Sequence, residues 1–170
     1  YTVGGVQKKW QPKNYGGNFQ GIVSLRDSLV QSRNLSTLNL VTDVGVNTTT
    51  DDLKRYRFKD IVDNLSVTLG SMSVNLIEFS QAYTIFSNNG VQVKPYIVEQ
   101  IVNKDGKSVT FEPQRKELNP PEQSYLITSI LKDVVTKGTG RRAAVDGIEL
   151  AGKTGTTNDN IDAWFCGYSP

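Results

Sequence analysis

Near its C-terminal end the chain gathers an ammonium, hydroxyls and a glycine into one short run: Lys153, Thr154, Gly155 and Thr156. Read as a strand, Lys153, Gly155 and Thr157 face one side, and Thr154 and Thr156 face the other. Glycine gives a strand no packing, so Gly155 suits a place where a ligand approaches the backbone closely. Backbone N–H groups, two hydroxyls and a positive charge on one edge form a receptor for an anion or a developing oxyanion.

The stretch from Gly147 to Thr154 also fits the phosphate-loop pattern G-x-x-x-x-G-K-[ST]. That motif requires a strand before it and a helix opening at its lysine. Only the short stretch from Arg141 to Asp146 precedes it, and Gly155 to Asn160 has a turn composition. Ile148 and Leu150 suit a strand better than a loop wrapped on phosphate. The reading is therefore a turn at Asp146-Gly147, a strand from Ile148 to Thr156, a turn at Asn158 to Asn160, and a partner strand from Asp162 to Tyr168.

The 170 residues suffice for one domain with a sizeable core. Nineteen Lys and Arg against 17 Asp and Glu leave a net charge of +2, too small to suggest a nucleic-acid surface. The chain has no His, which excludes His-based triads and His metal sites within these residues. Its one cysteine, Cys166, cannot form an internal disulfide and reads as a small buried side chain. No run of 18 apolar residues and no signal peptide occurs, so any membrane anchor is expected outside this segment.

Several elements must position the strand. Trp10 to Gly17 reads as an irregular loop. Ser24 with Asp27 forms a capping-box-like start to a helix that buries Leu25, Leu29 and Val30. Ser32, Arg33 and Asn34 then separate two apolar helical pieces. Spacing alone favours a helix break with solvated side chains there, against a turn projecting them from rigid supports. Asp51 to Asp63 reads as a charged surface helix. Ser73 caps the next one, whose Leu76, Phe79, Tyr83 and Phe86 form a core stripe ending at Asn88 to Gly90. Pro95 to Phe111 is strand-like around Asp105-Gly106, a hairpin signal. Asn119 caps a helix with Pro120 and Pro121 at its start, which carries Leu126, Ile127, Ile130, Leu131, Val134 and Val135 and ends at Gly138-Thr139-Gly140.

Ser32-Arg33-Asn34, Gly138-Thr139-Gly140, and Lys153 to Thr156 followed by Trp164 to Gly167 together resemble the transpeptidase domain of penicillin-binding proteins. The likeness is greatest to the bifunctional class A enzymes, and it covers nearly the whole chain. It implies the α/β (α+β) fold shared with β-lactamases. Of the signatures S-x-x-K, S-x-N and K-T-G, the second falls on Ser32 and Asn34 and the third on Lys153, Thr154 and Gly155. The first, which carries the nucleophile, has no match upstream of Ser32. Ser129 with Lys132 fits its letters, but mid-helix, where backbone N–H groups are already bonded and cannot form an oxyanion hole. Residues 1–170 therefore read as the C-terminal part of one such domain, lacking its nucleophile and its final strand and helix.

The resemblance implies a serine D,D-transpeptidase that cross-links peptidoglycan stem peptides and is acylated by β-lactams. It implies no cofactor or metal and a membrane-anchored parent working on the periplasmic side. The chain alone is expected to be inactive and to associate with the rest of the domain. By the same likeness Ser32 relays a proton to the leaving nitrogen, aided by Lys153, and Asn34 holds the missing lysine and the substrate amide. Thr154 and Thr156 bind the terminal carboxylate beside Gly155, and the Thr156 N–H forms half of the oxyanion hole. A carboxypeptidase, a β-lactamase or a non-catalytic β-lactam sensor could use the same fold. The relay demands that Ser32 Oγ lie about 2.6–3.5 Å from Lys153 Nζ or be joined to it by one water. Asn34 should enter the same cleft, beside an exposed apolar gap.

Overall fold

The computed structural model describes residues 2–3, 6–7, 10–157 and 161–170, with side chains from Trp10 onward. Strands β1 (Thr2–Val3) and β2 (Val6–Gln7) pair first, followed by helices α1 (Leu25–Val30), α2 (Asn34–Val44), α3 (Val46–Arg55) and α4 (Leu76–Ser87). Then come β3 (Val91–Val93), β4 (Gln100–Val102), β5 (Ser108–Thr110), β6 (Arg115–Glu117), α5 (Pro121–Lys137), β7 (Ala151–Thr156) and β8 (Ala163–Tyr168). The described strands form antiparallel pairs: β3 with β6, β4 with β5 and β7 with β8. This mixture of helices and strands is the fold class expected. The expected turn at 158–160 lies outside the described residues.

Helix α5 is the organising support. Val134 and Ala151 are both 0% exposed, and Val30, Leu131 and Val135 close around them, so α1, α5 and β7 share one core. Burying each of these valine and leucine side chains contributes about 1.5–3 kcal/mol before entropy is counted. Arg26 on α1 ties it to α5, donating to Asp133 at 2.7 Å and to Ser129 Oγ at 3.1 Å. Burial alone would raise the Asp133 pKa, but hydrogen bonds from Arg26 and Lys137 hold it below the ordinary value.

Local signals located several boundaries. Ser24 Oγ accepts the Asp27 N–H at 3.0 Å, as the capping pattern expects. The hairpin at Asp105-Gly106 forms, with Gly106 at φ 79° and Asn103 Oδ1 accepting the N–H groups of Asp105 and Lys107. Other expectations need correction. The helix expected at Asp51 to Asp63 runs instead from Val46 to Arg55. It stops because Arg57 turns left-handed (φ 71°) and the next residue, Phe58, is buried, its ring 6.2 Å from that of Phe79. Asn75, not Ser73, caps α4 by accepting the Glu78 N–H. Asn119 does not cap α5, because its Oδ1 accepts the Tyr56 hydroxyl at 3.0 Å. Leu25, Leu76 and Leu126 are exposed, while Ser28 takes the buried place on α1.

The strand expected from Ile148 begins at Ala151, since Ile148 pairs back with Val145 across the Asp146-Gly147 turn. Its partner starts at Ala163, one residue after the expected Asp162. Gly147, at φ 77°, belongs to that turn, and Lys153 lies within a strand. No helix opens there to receive a phosphate, so the phosphate-loop pattern is coincidental.

Candidate active site

Lys153 and Ser32 are 121 residues apart in sequence, and Lys153 Nζ donates to Ser32 Oγ at 2.9 Å. Two local structures produce this contact. The first is the end of α1. The Ser32 N–H bonds to the Leu29 carbonyl at 3.2 Å, and the Arg33 N–H reaches the Ser28 carbonyl at 2.8 Å. Those paired bonds are the Schellman arrangement, whose left-handed position is usually glycine. Here it is Ser32, at φ 53°. A left-handed conformation costs an L-residue roughly 1–2 kcal/mol, so the position keeps a serine against backbone preference. The side chain is not simply solvated, as spacing alone would have it.

The second structure is β7. Gly152 pairs with Gly167 on β8, and a Cβ on Gly152 would lie 2.5 Å from Phe165 Cζ and 2.6 Å from the Cys166 carbonyl oxygen. The Phe165 ring covers this glycine pair and anchors the strand just before Lys153. Burial then falls along β7: Ala151 and Gly152 are buried, Lys153 and Thr154 half-buried, Gly155 and Thr156 exposed. A Cβ on Gly155 would meet nothing within 4 Å, so no described residue demands glycine there. Thr157 and Asp162 close the hairpin, with the Thr157 N–H donating to the Asp162 carbonyl at 3.0 Å.

Lys153 Nζ donates also to the Thr154 carbonyl at 2.9 Å. Among the described residues no carboxylate forms an ion pair with it. Burial lowers its pKa from the ordinary 10.5, which eases exchange of a proton with a neighbouring hydroxyl. Thr154 Oγ1 lies 3.0 Å from Thr139 Oγ1, in the Gly138-Thr139-Gly140 turn after α5. Asn34 opens α2, where its Nδ2 donates to the Lys13 carbonyl at 2.8 Å rather than to Ser32 or Lys153. In return the Leu35 N–H donates to Asn14 Oδ1, which ties the loop at 10–17 onto the start of α2.

Beside the exposed end of β7 opens a cleft of about 930 Å³. Lys153 to Thr157 form one edge, and apolar groups from Leu76, Ile77, Phe79, Tyr83 and Trp164 form much of the rest. Phe79 and Tyr83 thus serve a cleft wall as well as an aromatic cluster with Phe86, which helical spacing could not distinguish from plain core. Cys166, expected to be buried, is half-buried on the same wall, and desolvation raises its thiol pKa. Neither Ser32 nor Asn34 lines this apolar opening, which lies on the α4 side and is not the gap expected beside Asn34.

The chain carries S-x-N and then K-T-G, and the two motifs are bonded through Ser32 and Lys153. Residues 2–170 match the family model described as the penicillin binding protein transpeptidase domain. The chain belongs to the penicillin-binding protein transpeptidase family. It is 34% identical to penicillin-binding protein 1A of Neisseria gonorrhoeae over 95% of its length, and spans 21% of that relative. It is 30% identical to penicillin-binding protein 1A of Pseudomonas aeruginosa, covering 96% of this chain and 26% of that one. The crystal structure of penicillin-binding protein 1A from Haemophilus influenzae superposes with a TM-score of 0.87 at 27% identity, over 95% of this chain and 30% of that one. Penicillin-binding protein A from M. tuberculosis, solved as an imipenem acyl-enzyme complex, shares the fold with a TM-score of 0.83 at 18% identity, over 96% of this chain and 43% of that one.

The one S-x-x-K match has a structural occupation. Ser129 accepts from Arg26 within α5, and Lys132 pairs with Glu149 at 2.9 Å. Among the described residues no helix is long and apolar enough to cross a membrane.

Proposed function

We propose that these residues form the proton-relay and carboxylate-binding side of a serine D,D-transpeptidase that cross-links peptidoglycan stem peptides. The 170 residues are part of one transpeptidase domain whose nucleophilic serine lies outside them. That serine attacks the carbonyl between the two terminal D-alanines. Its acyl-enzyme then passes to an amino group of a neighbouring strand. Ser32 hands a proton to the leaving nitrogen, and Lys153 supplies positive charge and a proton reserve. Thr154 and Thr156 hold the terminal carboxylate beside Gly155, and the Thr156 N–H contributes to the oxyanion hole. Asn34 fixes the start of α2 and, in the whole domain, turns toward the substrate amide. β-Lactams acylate the same serine. The protein acts on the outer side of the cytoplasmic membrane, held there by an anchor outside this segment.

The observation that carries this reading is the 2.9 Å bond from Lys153 to Ser32. Its lysine is half-buried, uncharged more readily than usual, and sits at the edge of an open cleft. In the full-length protein, Ser32→Ala and Lys153→Ala should each slow acylation by a β-lactam about 10²–10⁴-fold, the range for general acid–base groups. Pre-steady-state rates within threefold of wild type would make the pair structural. Intact mass of the 170-residue chain after the same incubation should show no adduct. Hydrolysis of a stem peptide without cross-linking would reassign the protein as a carboxypeptidase.

A further inference from the structure

The Gly138-Thr139-Gly140 turn has no part in the reading above, yet it joins both halves of the site. Its backbone is pinned on every side. The Gly138 and Gly140 N–H groups both donate to the Val134 carbonyl, at 3.1 and 3.0 Å, and the Thr139 N–H donates to the Val30 carbonyl at 3.2 Å. A side chain does not fit at Gly138 and would be tight at Gly140. A Cβ at Gly138 would lie 2.4 Å from the Val30 oxygen, and one at Gly140 would lie 3.1 Å from Val134 Cγ1. Val30 is the last residue of α1, two before Ser32. The side chain the turn presents is that of Thr139, and its hydroxyl meets Thr154 Oγ1 at 3.0 Å.

We propose that Thr139 is a positioning residue that sets the direction of the Thr154 hydroxyl, so that Thr154 donates to a bound carboxylate. This rests on the carboxylate-receptor reading of β7. A hydroxyl has one proton to give and two lone pairs to accept with. When Thr139 donates to Thr154 Oγ1, the Thr154 proton is left for the anion, and the relayed chain strengthens both bonds. Without Thr139 the Thr154 hydroxyl rotates freely and must be ordered by each incoming substrate. The pinned turn prevents Thr139 from drifting away, and it holds the Ser32 corner at a constant distance from the same strand.

The test uses the full-length protein with an N-acylated D-alanyl-D-alanine peptide and its C-terminal amide. Thr139→Val should raise KM for the acid about three- to tenfold, the worth of one neutral hydrogen bond. It should leave kcat within threefold and leave the amide unaffected, while Thr139→Ser should restore the wild-type KM. An unchanged KM for the acid overturns the proposal. Equal losses on acid and amide, or a Thr139→Ser protein as poor as Thr139→Val, overturn it in favour of a purely structural turn. Should the wild-type protein treat acid and amide alike, the carboxylate receptor itself falls and this proposal with it. In that case the effects of Ser32→Ala and Lys153→Ala on acylation still stand separately.

Discussion

The two ends of β7 differ more than six residues of one strand ordinarily would. At Ala151 and Gly152 the backbone is sealed under the Phe165 ring and against α5. At Gly155 and Thr156 it faces open space along a cleft. Lys153 stands between, bonded to Ser32. The contrast separates two demands on glycine in one short stretch. Gly152 is required by the protein's own packing, whereas no described residue sets such a requirement at Gly155. A rigid, buried end can hold a lysine whose ammonium is partly desolvated. An open end leaves N–H groups and hydroxyls unspent for a ligand.

The largest effect expected on stability is at the sealed end. Gly152→Ala would press a methyl into the Cys166 carbonyl and Gly167 on the partner strand, which cannot move as a side-chain tip can. Overpacking of this kind should cost about 1–3 kcal/mol, against less than about 0.5 kcal/mol for Gly155→Ala, where space is open. Urea unfolding of both variants would settle it, and equal losses would remove the distinction between the two ends.

A smaller effect is expected at the corner facing that strand. Ser32→Ala keeps the left-handed strain and loses the hydroxyl, whereas Ser32→Gly loses the hydroxyl and the strain together. The glycine variant should therefore be the more stable by about 1 kcal/mol, with acylation equally slow in both. Equal stabilities would show that φ 53° at Ser32 carries no cost.

The smallest effect concerns pH. Burial lowers the Lys153 pKa, so its charged form costs stability while the folded group is protonated. Between the depressed folded value and the unfolded 10.5 the unfolded chain binds more protons, and stability from this group rises with pH. Lys153→Met should flatten that rise when the unfolding midpoint is followed across the window. An unchanged slope would place the lysine in effectively aqueous surroundings.

How much of this was legible in the residues varies by element. The Ser24 cap, the Asp105-Gly106 hairpin and the end of α5 at Gly138 to Gly140 were readable because each is built from bonds within a few residues. The separate motifs S-x-N and K-T-G were readable too, as was the family they resemble. Asn119 was misread as a cap because its oxygen is claimed by Tyr56, 63 residues away. The helix over Asp51 to Asp63 was misplaced because burial of Phe58 overrides the pattern of charges. Helical spacing reported Phe79 and Tyr83 as core, and could not report that their other side faces a cleft.

By itself the sequence determined the chemistry on offer: an ammonium, hydroxyls and glycines in an order that marks the family. It also determined where several local turns fall. Tertiary structure alone decided that the Lys153 ammonium meets the Ser32 hydroxyl, and that Thr139 meets Thr154. Both contacts depend on α1 and β7 packing against α5. Such a fit is a property of summed volumes across distant segments, which no local spacing encodes.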